Sequence, residues 1–392
     1  MDINGFFEPS NEAVVNYQSN PFRQTLGDTI AAHTEEKGMP SIEGARVVLI
    51  GVDECRGSVD NGMARQAPDH IRHYLYRLAI PDNDLRMVDL GNLVPGATTA
   101  DTYAALTEVA ATLLANHMTL VVLGGGDDLT FSLYKAYEQI GRIINIGSID
   151  STFNLEGGEA INSRNYLQHI ILQQPNFLFD YINIGYQTYL VGHDMTRLMD
   201  ELKFSPHRVG ELQADIERTE PLVRYCDLVS VDISAVRQSD APANANPSPH
   251  GFYGEQLCQI MRYAGMSDKT SCMAILEHHP TLDRDGQTAN MLAQAVWFFL
   301  EGLCHRQNDF PYDAPQHYKR FIVELSDHGM EVVFYKSMKT DRWWMEVPCD
   351  DADRQQRYRR HALVPCNYSD YTRAMENEIP DLWWHYYNRI NG

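Results

Sequence analysis

The chain has 392 residues, of which 44% are hydrophobic and 22% are charged, and its formal net charge is -21. A chain of this length buries a large core, so we expect one sizeable domain with extensions. The negative charge excludes a general binder of nucleic acid or anionic membranes, because the long-range field repels phosphate. The basic run 354–361 is the exception, and we interpret it as a solvated helix face.

The cysteines and the apolar runs favour a reducing compartment and no membrane span. Seven cysteines are scattered without a Cys-x-x-Cys pair, mostly in apolar segments. This pattern predicts reduced core cysteines rather than a disulfide framework or a zinc site. The N-terminus lacks the pattern of a signal peptide, and no apolar run approaches the ~20 residues that span a bilayer. We therefore expect a cytoplasmic protein.

Residues 1–45 are predicted to form an arm, and residues 46–305 alternate between strands and helices. The predicted strands cover residues 46–51, 85–89, 119–123, 142–146, 177–184, 227–231 and 271–276. The predicted helices cover residues 67–78, 99–116, 129–139, 164–173, 209–225, 253–264 and 285–304. This alternation indicates parallel pairing with right-handed crossovers. The predicted fold is a three-layer α-β-α sandwich with a mainly parallel sheet of about eight strands.

A C-terminal extension with a different pattern is predicted for residues 306–392. Its short antiparallel strands are expected at residues 321–325, 331–336 and 343–347, followed by helical and aromatic segments. Two Trp-Trp pairs, together with Tyr386 and Tyr387, are expected to pack this extension onto the core. A contact with a protein partner or with a second copy of the chain is the alternative, since aromatic residues are enriched at interfaces.

Polar segments follow three of the predicted strands. Residues 124–128 read Gly-Gly-Gly-Asp-Asp, residues 150–155 read Asp-Ser-Thr-Phe-Asn-Leu, and residues 230–234 read Ser-Val-Asp-Ile-Ser. Open α/β sheets bind their ligands at the carboxyl ends of strands, so these segments predict a shared site.

These segments resemble the ureohydrolase family, which includes arginase, agmatinase and formimidoylglutamase. That family carries G-G-D-H-S, D-A-H-x-D and S-x-D-x-D at these points, and the six ligands hold two manganese ions. Residues 67–72 are similar to the family's P-x-x-I-R helix start, and residues 240–251 to its A-P-G loop, with Ala243 in place of the glycine. Residues 277–288 resemble its E-x-x-P-x-x-D-x-x-x-x-T segment. The resemblance covers residues 46–305 and implies an arginase-like fold.

The resemblance also implies a ligand set. The six ligand positions are occupied here by Asp128, Asp150, Thr152, Asn154, Asp232 and Ser234. In the family, the positions of Asp150 and Asp232 bridge both ions. The first metal position keeps these two carboxylates together with Asp128 and Asn154. The second has, beside the same two carboxylates, only the hydroxyls of Thr152 and Ser234. We do not expect a dinuclear manganese site, because the imidazoles suited to transition metals are missing. A single divalent cation (Mg²⁺, Ca²⁺ or Mn²⁺) is left open, and no cofactor is assigned.

If the fold is kept, Asp128, Asp150 and Asp232 should converge, and their negative charges would repel one another. Two like charges 4 Å apart repel by about 4 kcal/mol at an effective dielectric constant near 20. A bound cation, a nearby Arg or Lys side chain, or a proton held at a raised pKa would relieve that repulsion. Without a cation, the same groups would form a buried polar network.

Glu277 occupies the position at which the family's glutamate receives the cationic head of the substrate. The resemblance thus implies an acidic pocket for a cationic small molecule or for an Arg or Lys side chain of a partner. Local pairing of this strand-end carboxylate is the alternative. His278 and His279 are adjacent on an extended segment and face opposite sides, so they are not a chelating pair.

Three functions fit the sequence. The first is a ureohydrolase-fold protein with a degenerate metal site, which acts as a binding or scaffold protein. The second is an active formimidoylglutamase-like hydrolase of C–N bonds that uses one oxygen-ligated metal. The third is a structural subunit that docks a partner through its C-terminal aromatics. Loss of the second-position ligands should remove a bridging hydroxide, which favours the first. No catalytic residue is assigned, and enzymatic activity is left open.

Overall fold

The computed structural model describes residues 3–11, 22–62, 66–82, 84–311 and 315–392. Its main sheet has ten strands: β1 (Phe7–Glu8), β2 (Ala31–Ala32), β3 (Val47–Val52), β4 (Met87–Leu93), β5 (Thr119–Leu123), β6 (Ile144–Ile149), β7 (Leu178–Tyr186), β8 (Ser205–Arg208), β9 (Leu228–Asp232) and β10 (Cys272–Leu276). The strand order is β1-β4-β3-β5-β10-β9-β6-β7-β8, and β2 also pairs with β4. Only β1 runs antiparallel to its neighbour among these described strands. The prediction of a mainly parallel sheet is confirmed.

Helices cover both faces of this sheet. In chain order they are α1 (Leu26–Thr29), α2 (Ala67–Leu75), α3 (Thr99–Ala115), α4 (Leu129–Gln139), α5 (Tyr166–Ile171), α6 (His193–Glu201), α7 (Val209–Ala214), α8 (Thr219–Arg224), α9 (Gly254–Gly265) and α10 (Gln287–Cys304). Alternate residues of one strand enter different cores: Val121 packs with residues of α2, α9 and α10, and Val122 packs with residues of α3, α4 and α5. These two cores make the three layers, because strand side chains alternate between faces.

Three short strands and one helix break were not predicted. Strands β1, β2 and β8 have two to four residues, and β8 reads Ser-Pro-His-Arg without an apolar pattern. The single helix predicted for residues 209–225 is two helices, because Asp215 leaves the helical region at φ -152° and ψ 88°. None of the helices in the described ranges is long and apolar enough to cross a membrane.

The C-terminal residues form a separate antiparallel sheet of four strands, β11 (Tyr318–Leu325), β12 (Met330–Ser337), β13 (Trp343–Glu346) and β14 (Leu363–Cys366). Helices α11 (Ala352–Arg357), α12 (Tyr368–Met375) and α13 (Asp381–Asn391) complete this part. The hydroxyl of Tyr386 donates to Asp180 Oδ2 across 2.8 Å, and that of Tyr225 donates to the carbonyl of His361 across 2.6 Å. The extension therefore shares a buried interface with the main sheet. The domain limits at residues 45 and 305 stay a prediction.

Candidate metal and cation site

Four neighbouring strands end at one edge of the main sheet and carry the candidate site. In the order β5-β10-β9-β6, they lead into Asp127, Glu277, Asp232 and Asp150. Parallel pairing puts their carboxyl ends on the same side, so residues that are far apart in sequence lie close together. We name these four residues the acidic cup.

Three members of the acidic cup form a group that could hold a metal ion. One carboxylate oxygen each of Asp127, Asp150 and Asp232 lies within 4.8 Å of the other two. Asp127 and Asp150 are buried, whereas Asp232 is partly exposed. Carboxylate oxygens are the ligands of hard cations such as Mg²⁺ and Ca²⁺.

Asn154 contacts two of these carboxylates through its amide nitrogen. Nδ2 donates to Asp150 Oδ2 across 2.5 Å and to Asp127 Oδ2 across 2.7 Å. Its Oδ1 accepts a hydrogen bond from the Thr152 hydroxyl at 3.0 Å. The backbone of Asn154 has φ 52°, a left-handed conformation that asparagine tolerates better than most residues. In this orientation Asn154 presents its amide N–H groups to the cup, and its assignment as a ligand stays a prediction.

The two hydroxyl residues predicted at the second metal position lie beside Asp150. Its Oδ1 accepts from the Thr152 backbone N–H at 2.9 Å and from Ser234 Oγ at 3.4 Å. Ser234 Oγ also lies 2.9 Å from Ser151 Oγ. Both predicted positions thus adjoin the cup and hydrogen-bond to it.

Asp128 is not in the carboxylate group that could hold a metal, and the adjacent Asp127 is. The Tyr103 hydroxyl donates to Asp128 Oδ2 across 2.6 Å, and Asp128 Oδ1 is buried without a hydrogen-bond partner among the described residues. The turn before Asp127 and Asp128 contains Gly125. Gly125 has φ +84°, and a Cβ there would lie 2.9 Å from the Glu54 carbonyl oxygen. Only glycine fits such a turn without strain. The assignment of Asp128 as a ligand stays a prediction.

Glu277 is held by neutral donors. Its Oε2 accepts from Ser58 Oγ and from Asn61 Nδ2, both at 2.6 Å, and its Oε1 accepts from the Asp127 backbone N–H at 2.8 Å. Its φ of 65° is a left-handed conformation that costs a glutamate free energy. The side chain is therefore fixed in place by several contacts at once.

Burial disfavours the ionised form of every acid here. It raises the pKa of Asp150 to about 6 and that of Asp128 to about 7. The pKa of Asp127 and that of Asp232 lie well above the usual range, first from burial and then from repulsion by Asp150. The pKa of Glu277 is also raised by burial. A bound cation would stabilise the ionised forms.

A cavity of about 640 Å³ opens above the cup. Asp232, Glu277, Thr152, Asn154 and Ser234 are among the residues that line it. Arg164 also lines it, but its guanidinium pairs with Asp60 at 2.8 Å. The cavity has room for a small molecule, and the cup offers it negative charge.

The structure contains a second group of potential metal ligands, which the sequence did not predict. It joins His70, His278 and Asp283, which lie on separate segments. The prediction that His278 and His279 do not chelate together considered only neighbours in sequence. His70 is about two hundred positions away, and no local signal links it to His278.

Comparison with known proteins agrees with this fold. The sequence model that describes the arginase family matches residues 45–301 of this chain. The chain therefore belongs to the arginase family, as its sequence predicted.

The relatives that match include formimidoylglutamases. The formimidoylglutamase of Staphylococcus aureus (strain JH9) is 26% identical over 299 residues, which cover 71% of this chain and 92% of that protein. The crystal structure of formimidoylglutamase from Bacillus subtilis has a TM-score of 0.65 at 19% identity and covers 74% of this chain and 95% of that chain. The structure of Trypanosoma cruzi formiminoglutamase with Mn²⁺ has a TM-score of 0.64 at 17% identity. The match covers 73% of this chain and 100% of that chain. These structural matches establish a shared fold.

Proposed function

We propose that this arginase-family chain is a binding or scaffold protein whose acidic cup takes one cation. The cation is a single hard divalent ion or the cationic head of a small molecule or partner side chain. We further propose that the chain lacks the ordinary manganese-dependent hydrolysis of linear amidines. The observation that carries this proposal is the donor set of the cup, in which the group of potential ligands consists of three carboxylates.

The residues present do not fit the family's manganese pair. The second position would have two hydroxyl groups, those of Thr152 and Ser234, where the family has an imidazole and a carboxylate. At the first position, Asn154 directs its NH₂ group at two carboxylates. A bridging hydroxide needs two cations about 3.5–4 Å apart. The carboxylates of the cup fit a single hard cation, provided that the Asn154 amide turns away.

An active formimidoylglutamase-like C–N hydrolase with one oxygen-ligated metal is the second candidate. The relatives named formimidoylglutamase, at 26% identity over 92% of their length, favour it. So does the retained Glu277 beside a cavity of about 640 Å³. In that case the cup would hold the metal, and Glu277 would orient the cationic substrate group.

Metal analysis combined with an activity assay separates these candidates. The protein is stripped with chelator, loaded with Mn²⁺, Mg²⁺ or Ca²⁺ and analysed for bound metal, and turnover of formiminoglutamate, agmatine and arginine is measured. We expect at most one equivalent in the cup and no turnover. Two equivalents of manganese in the cup with turnover would overturn the proposal. One equivalent with turnover would establish the alternative.

A variant that restores the family pattern provides the positive control. It combines Asp128→His, Thr152→His, Asn154→Asp and Ser234→Asp. We expect this variant to bind more manganese than the natural chain, because imidazoles and two further carboxylates are added. Equal manganese binding by both proteins would mean that these positions do not decide metal content.

Compartment and partners are proposals as well. In the part of the chain that the structure describes, none of the seven cysteines forms a disulfide bond. Cysteines outside disulfides are typical of a reducing compartment, which supports the cytoplasm. Trp384 on α13 is 52% exposed and is the natural contact for a protein partner or a second copy of the chain.

A further inference from the structure

Three metal-ligating side chains converge outside the acidic cup. His70 Nδ1 lies 3.1 Å from His278 Nε2, and each of these nitrogens lies 3.7 Å from Asp283 Oδ2. His278 and Asp283 are buried, whereas the His70 side chain is 27% exposed. None of the three is among the residues that line the cavity above the cup. We name them the His-His-Asp cluster.

The size of this triangle matches a transition-metal site. A tetrahedral ion with bonds of about 2.0–2.1 Å holds neighbouring ligand atoms roughly 3.3 Å apart. The centre of the triangle formed by the three observed atoms lies about 2.0 Å from each, and an ion about 0.5 Å out of that plane would have bonds of about 2.1 Å. Because the His70 side chain is 27% exposed, solvent water can supply a fourth ligand.

The surrounding structure fixes the carboxylate. Asp283 Oδ1 accepts from the Thr288 backbone N–H at 2.9 Å, and Oδ2 accepts from that of Ala289 at 2.8 Å. Both donors lie in the first turn of α10, so the helix start orients the acid. Metal-ligating carboxylates are commonly held by such outer hydrogen bonds.

The histidine pair leaves one buried polar atom without a partner. Its two facing nitrogens share a single hydrogen, which fills only one side of each ring. His278 Nδ1 is buried and has no hydrogen-bond partner in the part of the chain that the structure describes. Nδ1 lies on the opposite side of the imidazole from Nε2, so it can carry the ring hydrogen and leave the lone pair of Nε2 for a metal. The His70 side chain is 27% exposed, so an ion can reach the cluster from the side of this residue.

We propose that the His-His-Asp cluster binds one divalent transition metal of the zinc class, independently of the acidic cup. Two imidazoles and one carboxylate form a mixed nitrogen and oxygen set that suits zinc, cobalt or nickel, whereas the carboxylates of Asp127, Asp150 and Asp232 in the cup suit harder ions. The metal ties α2 to the segment between β10 and α10. That segment begins with Glu277, so the metal also stiffens the backbone that positions the glutamate of the cup.

Zinc and cobalt binding to the chelator-stripped full chain tests this proposal. We expect one zinc equivalent per chain and, with Co²⁺, visible absorption typical of four- or five-coordinate cobalt. Zinc should also raise the thermal midpoint, because a ligand that binds only the folded state stabilises it. His70→Ala should weaken zinc binding at least tenfold and abolish the thermal shift. His70→Gln keeps a polar side chain and should give the same loss.

Two histidines provide matched controls, and one cup variant tests independence. His73→Ala on the same helix and His279→Ala beside His278 should leave zinc affinity unchanged. Asp150→Asn should weaken Mg²⁺ binding and leave zinc affinity unchanged. The proposal is overturned if the natural chain binds no zinc, or if zinc affinity is the same in the His70 variants. It also fails if only Asp150→Asn removes zinc, which would place the zinc in the cup.

Discussion

The side-chain amide of Asn154 donates to the carboxylate of Asp150 across 2.5 Å. The same nitrogen donates to Asp127, so one neutral group connects two buried acids. This contact reduces the repulsion between them in the absence of a cation. A metal that used both carboxylate oxygens would displace the amide, so Asn154 competes with the metal.

We expect Asn154→Asp to make the cup depend on a cation. The substitution removes two hydrogen bonds to acids and adds another negative charge. In the presence of chelator at pH 8, the free energy of unfolding should fall by about 2–4 kcal/mol. Millimolar Mg²⁺ or Ca²⁺ should restore more stability in the variant than in the natural chain. Urea unfolding with and without each cation measures both effects.

Asn116→Asp is the matched control, since Asn116 is exposed at the end of α3. It makes the same charge change without a buried neighbour and should respond little to divalent cations. An Asn154→Asp variant that stays as stable as the natural chain in chelator would contradict this role of the amide.

The raised pKa values of the cup and of the neighbouring Asp128 predict lower stability at higher pH. The folded chain retains protons on Asp150, with a pKa of about 6, and on Asp128, with a pKa of about 7. The unfolded chain releases them near pH 4. The unfolded state thus binds fewer protons between about pH 4 and 7, so the stability from these groups is lost as pH rises through that window. In chelator, the thermal midpoint should fall by several degrees between pH 5 and 8.

Asp128→Asn tests the origin of this dependence. Its amide oxygen can still accept from Tyr103, but it does not titrate. We expect a shallower fall of the thermal midpoint with pH in this variant, and a shallower fall for the natural chain in Mg²⁺. A midpoint that rises from pH 5 to 8 in both proteins would contradict the raised pKa values.

Much of the cup was predictable, because polar residues follow apolar strands in a fixed order. Asp150, Asp232 and Glu277 each directly follow or end a strand, and parallel pairing brings such positions together. The choice between Asp127 and Asp128 was not predictable. Adjacent side chains point in different directions, and the structure places Asp127 rather than Asp128 in the group of potential ligands, after two glycines with positive φ.

The other features that the sequence did not predict are contacts between residues distant in sequence and short strands at the edge of the sheet. His70 meets His278 only because α2 packs near the end of β10, which no sequence pattern indicates. Strand β8 is held by pairing with β7 rather than by an apolar pattern of its own. Propensity is weak for segments of this length, and tertiary contacts decide their structure.

We expect Glu277→Gln to remove binding of cationic ligands to the cup. A glutamine amide cannot accept from all three neutral donors and carries no charge, so a loss of about 1–3 kcal/mol in stability is also expected. Agmatine and guanidinium are suitable probes, with binding measured by calorimetry. Glu156→Gln is the control, since Glu156 lines the same cavity and its side chain is 60% exposed. Equal affinity of both variants for agmatine would contradict a role for Glu277.

Two adjacent tryptophans separate the packing of the extension from any docking role. Trp383 is 3% exposed, and its indole N–H donates to the Glu346 carbonyl at 3.0 Å, whereas Trp384 is 52% exposed. Trp383→Ala should therefore lower the free energy of unfolding by about 3–5 kcal/mol, because it leaves a cavity and an unpaired carbonyl. Trp384→Ala should change it by less than about 0.5 kcal/mol.

The same pair tests the proposed interface at α13. If Trp384 contacts a second copy of the chain, Trp384→Ala should shift the oligomer to smaller species in sedimentation without loss of stability. Trp383→Ala should alter sedimentation only at temperatures where it also unfolds. An identical sedimentation profile for Trp384→Ala and the natural chain would rule out this tryptophan as a contact between copies. Equal stability losses for the two variants would contradict the burial of Trp383 against β13.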